Sequence, residues 1–179
     1  YIMTQSADQF NTATKIIHWL SALVIFGLLA VGFIMEGMPR GPEKFELIGL
    51  HKSIGVLALL LIIIRIPVRI MNPVGPLPGT PRQDVIKAKA LQGLLYLMML
   101  VMPVSGMLMS QSAGYDVAFF GLPLPALMAE SEGAHEFFEA VHGPGAWALI
   151  LLLLAHIGAA LLHHFKMKDD TLRRMTFKK

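Results

Sequence analysis

Seven histidines punctuate this chain of 179 residues, and four of them fall where pairs of imidazoles can face one another. His142 and His156 lie fourteen residues apart within one apolar stretch. At about 100° of rotation and 1.5 Å of rise per residue, that spacing returns to nearly the same helix face about 21 Å further along. One helix therefore presents two imidazoles, at two depths, to one interior. His18 and His51 stand near the starts of two other apolar stretches. Ionisable side chains inside a membrane are costly and face a functional interior, and two opposed imidazoles can supply both axial bonds of a haem iron. The spacing implies two haems stacked across a bilayer. The plainer alternative is that any one of the four is an interhelical hydrogen-bonding residue.

The elements that must hold these histidines are read from length and composition. Hydrophobic residues make up 55% of the chain and charged residues 15%, with a mean hydropathy of +0.61, all displaced from soluble-domain norms. Residues 16–35, 90–115 and 141–165 contain no acid, Lys or Arg, so each can cross about 30 Å of hydrocarbon. A fourth stretch, 47–71, carries Lys52, Arg65 and Arg69 near its ends, where long side chains snorkel to the interface. The expectation is one all-α domain over 1–179, an integral membrane four-helix bundle enclosing two b-type haems, with helices at about 15–36, 47–71, 88–114 and 140–166. The lipid bilayer is its surrounding partner, and nothing marks nucleic acid as another. The chain has no cysteine, which excludes thiolate ligation and covalent c-type attachment and leaves histidine-bound haem b.

Loop charge sets the expected orientation, because Lys and Arg accumulate on the cytoplasmic side. Twelve of the fifteen basic residues, Lys15, Arg65, Arg69, Arg82, Lys87, Lys89 and the six from Lys166 to Lys179, share one side with only Asp8, Asp84, Asp169 and Asp170, for +8. The other side sets Arg40, Lys44 and Lys52 against eight acids, for −5. Both termini are then cytoplasmic. Residues before Lys15 are polar and the apolar run after it is too long for a signal core, so the first helix is expected to be retained. Residues 72–82, with four prolines, read as an extended linker. Residues 116–139, with Phe119, Phe120 and a Leu-Pro-Leu-Pro run, read as an interfacial cap or membrane anchor whose 130–139 part is a short helix.

Depth decides which histidines meet. His18 opens an outward-running helix near the inside, and His51 opens an inward-running helix near the outside. The compatible pairs are His18 with His156, and His51 with His142. Glycines at 32, 55, 143, 145 and 158 flank these positions and would admit a flat macrocycle or simply serve helix packing. Arg65, fourteen residues after His51, falls at the inner depth, where a guanidinium either pairs with a haem propionate or anchors the helix at the positive side.

Several runs carry a resemblance: His18-Trp19, His51-Lys52-Ser53-Ile54-Gly55, Tyr96 followed by Pro103 and Gly106, the spaced His142 and His156, and the ending His163-His164-Phe165 with Lys168-Asp169-Asp170-Thr171-Leu172 and Arg174-Met175. Together they make the chain similar, over nearly its whole length, to the bacterial four-helix cytochrome b561 family, which includes the quinone-linked superoxide oxidase. Family members often carry histidines early in helix three, where this chain has Lys89 and Gln92. The resemblance implies two b haems and electron transfer from an outer donor to ubiquinone in the bacterial inner membrane. His163 and His164, two to three turns beyond His156, would bind a quinone carbonyl or relay its proton, unless they merely flank the helix end. Lys52, beside an outer histidine, is the candidate catalytic residue, a cation that with Arg40 and Lys44 draws superoxide in, although the outer −5 opposes long-range steering. The expected activity is that of a superoxide:ubiquinone oxidoreductase. The alternative is a cytochrome subunit that serves a periplasmic redox or quinone-binding partner, and a haem-free metal or transport protein is a third class.

Overall fold

The computed structural model describes residues 9–177, so Asp8, Lys178 and Lys179 of the charge count lie outside it. Four helices account for most of the chain: α1 (Thr12–Gly37), α2 (Pro42–Met71), α3 (Arg82–Ser112) and α4 (Glu132–Leu162). Each is long and apolar enough to cross a membrane. They begin three to eight residues before the expected apolar spans, because hydropathy marks the part in hydrocarbon while capping chemistry marks the start. Asn11 accepts from the Thr14 amide at 2.9 Å, and Ser131 accepts from the Ala134 amide at 3.3 Å. Pro42 occupies the first turn of α2, and α3 follows Pro81. The expected short helix at 130–139 is the opening of α4 itself, started by the Ser131 cap and continued without a break.

Burial is inverted relative to a water-soluble core. Among the described residues, the buried polar or charged side chains Thr14, Lys15, Ser21, Ser53, Ser105, Gln111 and Ser112 outnumber the buried apolar ones, Leu61, Ile62, Val117 and Leu149. Large apolar side chains such as Leu23, Ile63, Leu151 and Leu154 point outward instead. That arrangement suits a bundle solvated by lipid tails, which gain nothing from sequestering leucine. The helix order follows from the connections. A short turn at 38–41 makes α1 and α2 antiparallel neighbours, α2 also packs on α3, and α3 packs most extensively on α4. By contrast α4 packs far less closely on α1 or α2, which leaves room between their backbones for the histidines.

The segment between α3 and α4 folds as a cap. A two-residue antiparallel hairpin pairs β1 (Ala118–Phe119) with β2 (Leu122–Pro123). Its turn places Phe120 and Gly121 at φ 48° and 91°, the left-handed pair that matches strand twist in tight hairpins. Side chains of α2 and α3 tie this cap down. Ser53 donates to the Ala118 carbonyl at 3.0 Å and accepts from the Phe120 amide at 3.2 Å. Buried Gln111 donates to the Pro125 carbonyl at 3.1 Å and accepts from the Leu127 amide at 2.9 Å. Gln111→Leu leaves both backbone groups without their partner, and an unsatisfied buried group costs about 1–3 kcal/mol. The expected outcome is a lower thermal midpoint in detergent together with protease access at 124–128, and an unchanged midpoint would remove Gln111 as the cap's anchor.

Candidate functional site

The structure brings the four central histidines together as two pairs. The rings of His51 on α2 and His142 on α4 have centroids 6.3 Å apart, and those of His18 on α1 and His156 on α4 lie 6.2 Å apart. A bond from imidazole nitrogen to a metal is about 2.0–2.1 Å, and the centroid lies about 1.1 Å behind the nitrogen, so two imidazoles flanking one metal have centroids about 6.3 Å apart. Both pairs therefore have the span of a bis-histidine metal axis. Because α4 carries one member of each pair fourteen residues apart, the pairs are separated by about 21 Å of helical rise.

The outer pair is set by α3. His142 Nδ1 donates to the Met102 carbonyl at 3.0 Å, with the Ser105 hydroxyl 3.2 Å away, and a carbonyl can only accept, so the proton sits on Nδ1 and Nε2 keeps its lone pair. The ring reaches this position because residue 106 is glycine: a Cβ there would stand 2.7 Å from His142 Cε1. Of the flanking glycines, Gly32 would give only an ordinary 3.7 Å contact to His51, Gly145 abuts Met102 rather than a histidine, and Gly55, Gly143 and Gly158 face open space. His51 Nδ1 is buried without a hydrogen-bond partner among the described residues, a polar atom left for something other than protein.

The inner pair is bordered by a cation. Arg65 places Nη2 2.9 Å from His18 Nδ1, donates from Nε to the Tyr96 hydroxyl at 3.3 Å, and stacks 5.3 Å from the Tyr96 ring centroid. Lys52 lies next to His51 in sequence, but its ammonium donates to the Asp116 carbonyl at 2.7 Å and the Ser110 hydroxyl at 3.1 Å. Lys44 donates to the Met38 carbonyl at 3.0 Å, in the turn that also carries Arg40, whereas Lys52 is held at the Asp116 carbonyl.

At its C-terminal end α4 loosens into a π-helical turn, His163–Met167, that contains both terminal histidines. His163 Nδ1 donates to Asp169 Oδ2 at 2.5 Å, and His164 Nδ1 is buried without a partner among the described residues. Burial works to raise the Asp169 carboxyl, yet hydrogen bonds from His163 and Thr171 outweigh it and hold the group below the ordinary aspartate value. Sequence reading missed Asp169, Ser105 and the packing role of Gly106. The contacts of Ser105 and Gly106 cross from α3 to α4, and Asp169 reaches His163, six residues earlier, through a chain reversal, so none leaves a periodic signal.

A polytopic four-helix bundle with two facing imidazole pairs and no cysteine has the construction of a haem b membrane protein. The family model for prokaryotic cytochrome b561 matches residues 9–178, and the chain belongs to that family of electron-transfer membrane cytochromes. It is 34% identical to cytochrome b561 homolog 2 of Escherichia coli (strain K12), over 96% of this chain and 93% of that protein. It is also 25% identical to cytochrome b561 homolog 1 of the same organism, over 94% of this chain and 97% of that protein. A protein of Yersinia pestis named "Probable superoxide oxidase CybB" is 27% identical, over 91% and 93% of the two chains.

Adding one methyl group at Gly106 tests how far the His142 position depends on α3. Overpacking costs about 1–3 kcal/mol, and here the colliding atoms belong to the ring itself. Gly106→Ala is expected to lower haem per protein by pyridine haemochrome assay, whereas Gly32→Ala, with its 3.7 Å contact, retains the wild-type ratio. Equal haem content in the two variants would separate His142 placement from cofactor retention.

Proposed function

We propose that this chain is a di-haem cytochrome of the bacterial inner membrane that takes electrons from superoxide on the periplasmic side and passes them to ubiquinone, a superoxide:ubiquinone oxidoreductase. The observation that carries this reading is the presence of two imidazole pairs, 6.3 Å and 6.2 Å between centroids, at opposite ends of one membrane helix. His51 with His142 would hold the outer haem b and His18 with His156 the inner one. Bound there, the haems supply one-electron redox chemistry. The chain's own groups do the rest. Met102 and Ser105 orient His142, Arg65 offers a guanidinium to a haem carboxylate, and the bundle excludes water. Lys52, its ammonium held at the outer end by Asp116 and Ser110, retains one N–H for an arriving anion. His163 and His164 meet the quinone at the cytoplasmic mouth. The stoichiometry closes with two superoxide anions giving up one electron each to become dioxygen, while one ubiquinone takes two electrons and two cytoplasmic protons to become ubiquinol.

Superoxide as donor rests on the Yersinia relative's name and on Lys52. The acidic outer face, with Glu43, Glu46, Glu130, Glu132, Glu136 and Glu139, favours a second reading, in which a basic periplasmic redox protein docks there and the chain serves as its electron-transfer subunit. Anaerobic mixing of the purified cytochrome with superoxide separates the two. Haem reduction is expected, followed in the presence of ubiquinone by reoxidation with one quinol formed per two superoxide anions, and two haems are extracted per chain. Absence of haem reduction by superoxide would shift the assignment to the second reading.

Orientation follows from the basic cytoplasmic side, with both termini inside. Single cysteines introduced at Gly41 and Ser131 should react with an impermeant maleimide applied to intact spheroplasts, and one at Gln83 should react only after lysis. The opposite pattern would reverse the direction of electron flow.

A further inference from the structure

The end of α4 folds back on itself. The π-helical turn His163–Met167 closes with Lys168 in the left-handed region at φ 56°, and the Asp169 amide donates to the His163 carbonyl at 3.2 Å. That reversal returns Asp169 to the side of His163. One carboxylate oxygen, Oδ2, accepts from His163 Nδ1 at 2.5 Å, while the other, Oδ1, accepts from the Thr171 amide at 2.8 Å. The Thr171 hydroxyl stands 3.3 Å from the same Nδ1. An ionised carboxylate has no proton to give, so Nδ1 carries the hydrogen and the lone pair or second proton of the ring belongs to Nε2, on the edge away from the tail. Single π turns recur at functional sites because they re-aim a side chain without ending the helix.

We propose that Asp169 is a positioning residue for proton delivery to the quinone, holding His163 so that Nε2 is the atom that exchanges a proton with a quinone oxygen. The inference rests on the proposed quinone reduction and deepens it. Each ubiquinone needs two electrons and two protons. His163 gives the Nε2 proton to a quinone oxygen as negative charge develops there, and Nε2 regains a proton from cytoplasmic water. Asp169 stays a carboxylate throughout, orienting the ring and stabilising its cationic form. Its other neighbours do not compete for that role, since among the described residues its ion pair is with His163, while adjacent Asp170 pairs with Arg173 at 3.3 Å. Nor is Asp169 the tail's sole fastening. The Trp19 indole donates to the Met175 carbonyl at 3.0 Å, and Arg174 donates to the Gly75 carbonyl at 3.0 Å. Two buried polar atoms at this end, His164 Nδ1 and Thr14 Oγ1, are without partners among the described residues, which fits a polar ligand seated beside them.

The test uses the haem-loaded protein, pre-reduced, with stopped-flow reoxidation by a short-chain ubiquinone and, separately, by ferricyanide, which takes an electron and no proton. Asp169→Asn is expected to retain both haems and the ferricyanide rate. At saturating quinone it slows reoxidation by at least about tenfold, as loss of proton transfer does, and the solvent deuterium isotope effect rises. The quinone concentration for half-maximal rate stays within about twofold, since binding is not what Asp169 provides. Asp169→Glu restores most of the rate. Asp170→Asn and Trp19→Phe, which loosen the tail but leave the Asp169 carboxylate and its contacts, keep the quinone rate. A slow His163→Ala with a wild-type Asp169→Asn overturns the role of Asp169 and leaves the quinone site standing. Wild-type quinone rates in both variants overturn the site itself. Equal slowing with both oxidants, or the same loss in Asp170→Asn, makes Asp169 a structural latch only and overturns the proposal.

Discussion

Everything in this bundle answers to one geometric demand: two imidazoles must face each other across about 6.3 Å, twice, within hydrocarbon. Helices packed in direct contact run 8–10 Å apart, at which facing histidine rings would collide or slide past one another. The spacing is obtained by letting α4 rest on α3 and stand off from α1 and α2. Antiparallel α1 and α2 then each contribute a histidine at their own starting end, and α4, running past both, contributes two. Continuity of α4 between His142 and His156 is the condition for this. An inserted or deleted residue there would rotate one imidazole by about 100° away from its partner.

The two ends are supported by different chemistry. At the outer end the contacts that place His142 are neutral and steric, the Met102 carbonyl, the Ser105 hydroxyl and the space at Gly106, while the cap over that end is tied by the Lys52 ammonium, Ser53 and Gln111. At the inner end the support is ionic. Arg65 lies against His18 with Tyr96 holding its other nitrogen, and the tail is fastened through Trp19, Arg174 and the His163–Asp169 pair. The buried polar side chains lie on α1, α2 and α3, while large apolar ones face outward.

How much of this was legible in the sequence depends on whether the signal is local. The four helices were legible because apolar length is itself the requirement for crossing a membrane. The facing pairs followed from rise per residue and alternating helix direction, quantities that need no tertiary detail. Cap positions were less legible, since Ser131 extends α4 eight residues beyond its apolar part and absorbs what looked like a separate short helix. The glycines divide in the same way: five near the histidines were read as admitting a macrocycle or serving helix packing, and the structure adds Gly106, on a different helix, as one that meets a ring closely. Asp169 reaches His163 only through a left-handed residue at Lys168, a position without glycine or asparagine to announce it. Lys52 was read as an anion-drawing cation, and the structure adds that one of its donors holds the cap at Asp116 while a second ties α2 to Ser110 on α3.

The contrast between His142, whose contacts carry no net charge, and His18, which meets a guanidinium, bears on the proposed direction of flow. An electron passing inward moves toward the negative side of an energised membrane, against about 2.3 kcal/mol per 100 mV for a full crossing. The histidine pairs are separated by about 21 Å of a hydrocarbon core near 30 Å, so the step between them meets roughly two thirds of that opposition. A unit positive charge about 6 Å from an added electron stabilises it by roughly 3 kcal/mol at an effective dielectric constant near 20. Arg65, in contact with His18, supplies such a charge at the inner end, while the groups touching His142 carry dipoles and no net charge. The bias from one part-buried guanidinium is thus comparable with the opposing field at ordinary membrane potentials, and the Lys52 ammonium at the other end and a haem carboxylate paired with Arg65 would each subtract from it. On this argument Arg65 would do more than anchor α2 at the side rich in basic residues, because moving it to the other pair would reverse the sign of its bias while leaving the topology rule satisfied by the other basic residues.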